Sequence, residues 1–411
     1  MTEPVLRFYH RVDDPWSHLL LQLLPALQRS YAVRIECITV PLAPPAYSPR
    51  PQLLAAHALR DVQDLCRYYR LEFVRSGRQP SEQLVAKATR RLLAVTDTSQ
   101  YIGVAQALGA ALFAGDDAQL EAHCDAGPSL TADEAECRLQ ANQQRQLGEG
   151  HFHGGMLAFG GNWYWGIDRL AHLEHDLLVA GARRPNACVG LLERRPDSMP
   201  SAPGQAPHAQ VPLEIEFFCT FRSPYAYLAA QRTFALQRDY PVRVRPRLML
   251  PMKMAGFVIP ESKALYFRFD PAREALRLGI RFGNFCDPFG PGLERAMALV
   301  EVASAAGQLP AYLLSVMQGV WADGLDLATD DGLCTCVERA GLDWPTAVPH
   351  LQDDGWRVWA KQNRDALVGI GQYAAPTYKL GDYVTWGQDR IPLLEREIRR
   401  RLAFGPAAEE P

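Results

Sequence analysis

The most informative segment of the chain spans residues 214–228 and reads EIEFFCTFRSPYAYL. Its first half alternates between polar and apolar residues, which predicts a strand. Pro224 favours a helix start, because the N–H that proline lacks would be unpaired at the first helical position anyway. A polar residue between a strand and a helix lies at the positive end of the helix dipole. Ser223 is therefore the leading candidate for a functional side chain, and the alternative is that it only caps the helix.

Length and composition predict a soluble protein of two domains. A chain of 411 residues is too long for one ordinary core, and 48% hydrophobic with 22% charged residues is typical of globular proteins. A net charge of −3 offers no positive surface to nucleic acid or to an anionic membrane. No run approaches the roughly eighteen apolar residues that span a bilayer, and the first residues do not resemble a secretory signal.

The cysteines and histidines give no sign of a disulfide framework or a metal site. None of the nine cysteines has Cys-x-x-Cys spacing, and the closest pair is Cys334 and Cys336. This pattern favours free thiols in a reducing cytoplasm. His151 and His153 lack a third ligand placed by the sequence, so we expect them to be solvated loop residues and predict no metal.

The chain contains a divergent copy of itself. Residues 8–16 align with residues 217–225 at an offset of 209, and residues 165–174 align with residues 386–395 at an offset of 221. Because both matches run in the same order, we predict two copies of one domain. A period near 200 residues indicates domain duplication rather than a solenoid repeat.

The domain boundaries follow from a proline-rich segment between the copies. Residues 193–212 contain several prolines without apolar periodicity, which predicts an extended linker. We therefore expect one domain at residues 1–192 and another at residues 213–404, followed by a frayed tail.

Each copy predicts the same order of elements. The strands are expected in parallel pairs around a helical crossover, followed by a long helical region, a hairpin and a last helix. The predicted strands are residues 4–11, 33–38, 213–220, 242–248 and the hairpin 377–386. The predicted helical segments include residues 19–27, 228–236 and 296–303, the regions 51–145 and 261–370, and a last helix from about Asp389. The predicted fold class is α/β, with two tandem thioredoxin-like domains that each carry a helical insertion.

Five short motifs of the second copy resemble one known family. They are SPYAYL (223–228), PESKALY (260–266), WADGLD (321–326), AAPT (374–377) and WGQDR (386–390). In this order they resemble the DsbA-like thioredoxin superfamily, and within it the kappa-class glutathione transferases and 2-hydroxychromene-2-carboxylate isomerases. The resemblance covers nearly all of residues 213–402, whereas the first copy shares only its ends.

The resemblance implies that a redox site has been converted. Redox members carry Cys-x-x-Cys at the start of the first helix, where the dipole lowers the thiol pKa. Ser223 and Ala226 stand at those positions, so disulfide exchange by that route is excluded. In glutathione-using members a serine there donates a hydrogen bond to the glutathione sulfur and favours the thiolate. Ser223 is thus the implied catalytic residue.

The resemblance also implies a glutathione-binding set. Ala375 and Pro376 match the cis-proline turn, whose backbone would pair with the cysteinyl part of glutathione; the alternative is a trans proline. Gln388 and Asp389 match the site for the γ-glutamyl end, and Asp389 could also cap the last helix. Lys263 matches a lysine for the glycyl carboxylate, and the alternative is a solvated lysine.

Two further residues are candidates for the substrate pocket. Tyr225 could line the acceptor-substrate side, although an aromatic residue there is as often part of the core. Met254 belongs to a methionine cluster after the second strand, where ligand contact and core filling are both open.

The first copy lacks most of these matches. Asp14, Gly155 and Leu54 stand where the second copy has Ser223, Pro376 and Lys263, while Asp168 persists and is explained as a helix cap. A carboxylate at position 14 would raise the pKa of a nearby thiol. We expect a degenerate domain that replaces the second subunit of a dimer. The alternative is a different pocket formed by His10, Asp13, Asp14 and Trp16.

These expectations combine into a glutathione-dependent enzyme acting on a small, electrophilic, aromatic-derived substrate. Isomerase and transferase need the same activated thiol, and the isomerase is favoured. A DsbA-family oxidoreductase and a non-catalytic binding or scaffold protein are the alternatives. The expected partners are glutathione and a small-molecule substrate, without nucleic acid or membrane. The chain would be cytoplasmic, as a monomer with pseudo-dimeric halves or as a homodimer.

Overall fold

A computed structural model describes residues 3–77, 81–185, 187, 189–192, 212–254 and 256–405. The chain divides into two compact units, Met1–Asp197 (unit 1) and Ser198–Pro411 (unit 2). Apart from Pro212, the predicted linker at residues 193–212 lies outside the described residues, as does the tail after Gly405. The domain boundaries therefore stay a prediction.

Unit 1 begins with a βαβ segment, continues with helices and ends with a hairpin and a helix. In chain order its described elements are β1 (Val5–His10), α1 (Pro15–Leu21), α2 (Leu24–Ser30), β2 (Arg34–Thr39), α3 (Pro51–Tyr69), α4 (Glu82–Leu93), α5 (Thr98–Ala114), α6 (Asp117–Asp125), α7 (Ala132–Gly148), β3 (Met156–Phe159), β4 (Asn162–Trp165), a 3-10 turn (Ile167–Arg169) and α8 (Leu170–Val179).

The sheet of unit 1 has the strand order β2-β1-β3-β4. β1 and β2 are parallel, with Phe8 opposite Cys37, so the chain between them is a helical crossover. β3 runs antiparallel to β1, with Phe8 opposite Leu157, and pairs with β4 as a hairpin. Helices α3 to α7 are all inserted between β2 and β3. This is the predicted order of βαβ, helical insertion and ββα.

Unit 2 repeats this order with a larger set of inserted helices. Its described elements are β5 (Leu213–Cys219), α9 (Pro224–Asp239), β6 (Val242–Leu248), α10 (Glu261–Leu278), α11 (Pro291–Ala298), α12 (Val300–Ala305), α13 (Leu309–Trp321), α14 (Asp330–Arg339), α15 (Trp344–Ala347), a 3-10 turn (Val348–His350), α16 (Trp356–Gly369), β7 (Thr377–Leu380), β8 (Tyr383–Trp386), a 3-10 turn (Gln388–Arg390) and α17 (Ile391–Phe404).

The sheet of unit 2 has the same topology and the same register. Its strand order is β6-β5-β7-β8, and Phe217 lies opposite Pro246 on β6 and Tyr378 on β7. These positions differ from those of Phe8 and its two partners by the offsets of 209 and 221 found in the sequence. The offsets therefore identify structurally equivalent positions in the two units.

The core of unit 2 is built around the inward face of β5. Ile215, Phe217 and Cys219 are fully buried in one hydrophobic cluster. The Phe217 ring stacks on Tyr378 at 5.5 Å between centroids and meets the edge of Phe234 on α9. Burial of such a side chain contributes about 1.5–3 kcal/mol. This packing fixes α9 against the sheet, and with it the turn at Ser223.

One predicted helix of unit 1 is broken. The segment predicted at residues 19–27 is two helices, because α1 ends at Leu21 and α2 begins at Leu24. Pro25 has no N–H to donate to the carbonyl of Leu21, which interrupts the helical hydrogen bonds. Unit 2 has Phe234 at the equivalent position, and α9 is continuous over 16 residues.

Two helix boundaries of unit 2 also differ from the prediction. The helix predicted at residues 296–303 is interrupted at Leu299, whose ψ of −2° departs from the helical value. The last helix begins at Ile391 rather than at Asp389, because residues 388–390 form a 3-10 turn. Pro392 in the first turn of α17 is compatible with this later start.

The eight cysteines in the described part of the chain are free thiols. Among the described residues, every helix is too short or too polar to cross a membrane.

Candidate functional site

Ser223 lies at the N-cap of α9, directly after the turn that ends β5. Its φ of −99° and ψ of 117° are extended, and its hydroxyl oxygen accepts a hydrogen bond from the N–H of Ala226 at 3.1 Å. The turn is held by the Trp321 indole N–H, which donates to the carbonyl of Phe221 at 3.0 Å. The capping interpretation is therefore confirmed, and a role towards a ligand would be additional to it.

The Ala375–Pro376 peptide bond faces this helix terminus and is cis, as the resemblance implied. The Ser223 hydroxyl donates to the carbonyl of Ala375 across a long 3.5 Å contact. The carbonyl of Pro376 accepts from the N–H of Gly387 at 2.9 Å. The turn thus connects the start of α9 with the WGQDR segment, and the hydroxyl proton of Ser223 makes only a weak internal hydrogen bond.

Lys263 is buried near the start of α10, with 7% of its surface exposed. Its ammonium lies 5.7 Å from the centre of the Phe267 ring. Burial lowers the pKa of Lys263 from 10.5 to about 8, because charged amines lose hydration in the interior. The alternative of a solvated lysine is therefore wrong.

Gln388 is fully buried and its amide is bonded at both ends. Its oxygen accepts from Arg232 at 2.8 Å, and its nitrogen donates to Glu274 at 2.7 Å and to the carboxylate of Asp389. Arg232 and Glu274 were not found by sequence reasoning. Their only signal was that the first copy has leucine at both equivalent positions.

Asp389 is not the cap of the last helix. It lies inside the 3-10 turn Gln388–Arg390, and the N-cap of α17 is Arg390. Asp168 in unit 1 has the same position, since Arg169 is the N-cap of α8. The capping interpretation of both aspartates is wrong, because the chain makes a short 3-10 turn before each helix starts.

The two predicted pocket residues have internal partners. The Tyr225 hydroxyl donates to Asp270 of α10 at 2.7 Å, and its ring meets the edge of Phe267 at 6.0 Å. Met254 is half-buried and packs against the main core of unit 2. A substrate role for either residue stays a prediction.

A group of charged and aromatic side chains adjoins Ser223. Sequence reasoning did not predict this group. Arg222 makes two hydrogen bonds of 2.6 Å with Asp287, and its guanidinium lies 5.4 Å from the centre of the Phe289 ring. The Lys253 ammonium lies 4.5 Å from the same ring. Arg222 and its bidentate hydrogen bonds attach the loop after α10 to the start of α9.

The equivalent terminus in unit 1 is capped by Asp14. Its backbone angles, −99° and 113°, nearly equal those of Ser223. Its carboxylate accepts from the N–H and the hydroxyl of Ser17, at 3.0 and 2.6 Å. Burial raises the pKa of the Asp14 carboxyl. The carboxylate is thus turned into the helix terminus.

The loop opposite Asp14 leaves no room for an alanine–proline turn. Gly154 and Gly155 occupy the positions of Ala375 and Pro376, and Gly155 has φ +64°. A Cβ atom at Gly154 would lie 3.0 Å from the Cβ of Arg11 and 3.1 Å from Asp14. Glycine is needed because the loop closes onto α1.

The alternative pocket of unit 1 is not supported by the contacts of its members. The His10 ring pairs with the Tyr101 hydroxyl at 2.9 Å, and burial lowers the pKa of His10 to about 3. Trp16 donates to Asp61 at 2.8 Å. Asp13 pairs with Arg11 and Asp14 bonds Ser17. The four side chains therefore serve separate partners.

The loop histidines of unit 1 are not solvated in the way we expected. His151 is buried, and its Nδ1 accepts from the N–H groups of Phe152 and His153 at 2.8 and 3.2 Å. His153 stacks on Trp165 with ring centres 4.9 Å apart. In the described part of the chain, no cluster of three or more His, Cys, Asp or Glu side chains could hold a metal ion.

Comparison with known proteins finds a family match in the second half of the chain. Residues 214–399 match the family model of the DSBA-like thioredoxin domain. This segment is similar to a DsbA-like thioredoxin domain. The 2-hydroxychromene-2-carboxylate isomerase of Pseudomonas putida is 28% identical over 194 residues, which are 45% of this chain and 94% of that enzyme.

Two solved structures resemble this chain. A 2-hydroxychromene-2-carboxylate isomerase is 26% identical, with a TM-score of 0.40, over 46% of this chain and 95% of its own. The cytosolic disulfide reductase DsbM from Pseudomonas aeruginosa, solved with GSH, is 18% identical, with a TM-score of 0.36, over 46% of this chain and 98% of its own. The DsbA-like resemblance is confirmed over less than half of the chain, and the tandem arrangement stays in part a prediction.

Proposed function

We propose that unit 2 is a glutathione-dependent enzyme of the 2-hydroxychromene-2-carboxylate isomerase type. The observation that carries the proposal is the hydroxyl of Ser223 at the N-terminus of α9, opposite the cis Ala375–Pro376 turn. Relatives with this name, each matched over 44–45% of the chain, support the isomerase class. Glutathione transfer is the second reaction that this site would support.

Three side chains of unit 2 would match three of the polar groups of glutathione, namely the thiol, a carboxylate and the amino group. The Ser223 hydroxyl has a proton to donate to a sulfur atom, since its internal acceptor is 3.5 Å away. Lys263 offers a buried cation for a carboxylate, and Asp389 offers an anion for an amino group. Ala375 would contribute backbone groups to the cysteinyl part, as an added strand does.

Glutathione would supply a thiolate that adds to an electrophilic, aromatic-derived substrate. The residues of the chain would stabilise this anion in two ways. Ser223 would donate a hydrogen bond to the sulfur, and the N-terminus of α9 would provide its positive dipole end. Both effects favour the charged form and lower the thiol pKa.

The redox alternative requires a reactive thiol, which the start of α9 does not provide. Thiol–disulfide exchange needs a thiolate at the start of the first helix, and Ser223 and Ala226 offer none. The nearest cysteine along the chain, Cys219, is fully buried, and burial raises its pKa far above that of a free thiol.

The proposal is tested by titrating the thiol of bound glutathione in the wild type and in two variants of Ser223. Ser223→Ala removes the hydrogen-bond donor, and we expect the pKa of the bound thiol to rise by about one unit. Thiolate absorbance against pH measures the shift. Ser223→Asp keeps a cap, as Asp14 does in unit 1, but adds a negative charge, so it should raise the thiol pKa further.

The two variants separate thiol activation from helix capping. If Ser223 acted only as a cap, Ser223→Ala would leave the thiol pKa unchanged and would differ only in stability, by about 1 kcal/mol, whereas the charge added by Ser223→Asp would still raise the thiol pKa. An unchanged thiol pKa in Ser223→Ala would refute the role proposed for Ser223.

A further inference from the structure

A buried polar network links three elements of unit 2 behind Asp389. Gln388, on the 3-10 turn, joins Arg232 of α9 to Glu274 of α10 through 2.8 and 2.7 Å hydrogen bonds. Arg277 donates to both oxygens of Glu274, at 3.0 and 2.7 Å. Gln388 and Glu274 are completely buried. Burial of such groups is costly unless they are hydrogen-bonded, and here they are.

The side-chain amide of Gln388 is fully occupied by hydrogen bonds within this network. Its oxygen faces Arg232, and its nitrogen donates to Glu274 and to the carboxylate of Asp389. An amide nitrogen has two protons to donate, so this one has none left for a ligand. Any effect of Gln388 on a ligand would therefore pass through Asp389, which is half-buried.

Unit 1 builds the same sheet and register without this network. The sheet offsets place Leu23, Leu65 and Ile167 at the positions of Arg232, Glu274 and Gln388. All three aliphatic side chains are buried. Replacing a buried ion pair by well-packed apolar residues is often neutral or stabilising. The fold thus does not require the polar version, although Asp168 keeps the place of Asp389.

We propose that Glu274 and Arg232 are positioning residues, which fix Gln388 so that it orients the Asp389 carboxylate towards the amino group of the ligand. This inference rests on the proposed function, since it concerns the γ-glutamyl end of the same site. It predicts that the network contributes to ligand affinity through the Asp389 carboxylate. It also predicts that the network has no effect on thiol activation at Ser223.

The test transfers the apolar residues of unit 1 into the full-length chain as Arg232→Leu, Glu274→Leu and Gln388→Ile together. The exchange removes these three side chains at once, and Arg277, which loses Glu274, is 38% exposed, so no buried charge is left isolated. We expect a folded protein with a melting temperature at or above that of the wild type. Its dissociation constant for glutathione should rise about 10- to 100-fold, as expected for losing one charge-assisted contact.

A ligand without the amino group isolates the effect. Glutaryl-cysteinylglycine, the desamino analogue of glutathione, should bind the wild type and the triple variant equally, as measured by calorimetry. The pKa of the bound thiol should also be the same in both. Glu397→Leu is the matched control, because Glu397 pairs with Arg400 and Arg401 within α17. This control should bind glutathione like the wild type.

Each outcome decides a different point. A folded triple variant that binds glutathione with wild-type affinity would overturn the inference, as would an equal loss of affinity for the desamino analogue. A triple variant that does not fold would contradict the premise that the network is dispensable for the fold. Absence of glutathione binding by the wild type would instead refute the proposed function, and the inference with it.

Discussion

The charge of Lys263 makes the site sensitive to pH. Because its pKa is about 8 in the folded protein and 10.5 as a free group, burial favours the neutral amine. Below pH 8 the ammonium is present in both folded and unfolded chains, and the folded state bears the full cost of burying it. From pH 8 to 10.5 the unfolded chain holds more protons, so stability rises with pH. A ligand carboxylate would offset that cost at neutral pH.

We therefore expect the affinity for the S-methyl derivative of glutaryl-cysteinylglycine to fall as pH rises through about 8, where Lys263 loses its charge. This ligand has neither a thiol nor an amino group that titrates, so calorimetry at several pH values reports on the lysine. Lys263→Met should bind more weakly at pH 7, by about tenfold, and should lose the pH dependence.

Lys361 provides the control for this prediction. Its side chain is exposed and pairs with Asp365 on α16, so Lys361→Met should keep both the affinity and its pH dependence. A pH-dependent affinity that persists in Lys263→Met would show that another group titrates.

At this scale the sequence located side chains better than it described their surroundings. The position of Ser223 at the start of a helix could be predicted, because Pro224 favours the first helical position. The burial of Lys263 could not, since it depends on which face of α10 packs inward. That Asp389 does not cap the last helix could not be predicted, because a 3-10 turn before a helix leaves no distinct residue pattern. The only sign of Glu274 in the sequence is that the aligned position in the first copy is Leu65.

Among the elements, one contact between the first helix and the insertion occurs in both units. Tyr225 on α9 bonds Asp270 on α10 at 2.7 Å, and Trp16 on α1 bonds Asp61 on α3 at 2.8 Å. Both aspartates are buried. Since unit 1 lacks the other site residues, this contact serves the packing of the inserted helices.

A second repeated contact joins the residue that ends the helix before the second strand to the last helix of each unit. The Tyr31 hydroxyl after α2 donates to Glu174 on α8 at 2.9 Å, and the Tyr240 hydroxyl after α9 donates to Glu395 on α17 at 2.6 Å. These pairs obey the two offsets, 209 for the tyrosines and 221 for the glutamates. They hold the helices on the sheet in the same way in each unit.

Removal of the Tyr225 hydroxyl should destabilise unit 2. Tyr225→Phe leaves the buried Asp270 with one donor fewer, and we expect the free energy of unfolding to fall by about 1–2 kcal/mol. Urea denaturation measures this change. Tyr225→Trp, which supplies the donor that unit 1 uses, should retain more stability than Tyr225→Phe; the opposite order would contradict the assignment.

The order of the elements was predictable, whereas some of their ends were not. Alternating residues and the repeated Gly-containing hairpin gave the strands, because strand patterns depend on local side-chain alternation. Pro25 breaks the first helix of unit 1, whereas the apolar spacing of residues 19–27 taken alone predicts a continuous helix. The interruption at Leu299 has no comparable signal in the sequence.

For the whole molecule, the two units keep one sheet topology but differ in their polar residues. Unit 2 has Ser223, Lys263 and the buried network behind Asp389, while unit 1 has Asp14 turned into its helix and Gly154 pressed against it. The internal comparison separates what the fold needs from what the site adds. We propose that unit 2 alone binds glutathione.

The most direct test is the stoichiometry of glutathione binding to the full-length chain, measured by isothermal titration calorimetry. One glutathione per chain in the wild type is the predicted result, with binding weakened in the Ser223→Asp variant. Two equivalents per chain would show that unit 1 has a working site, and no binding would contradict the proposed function of unit 2.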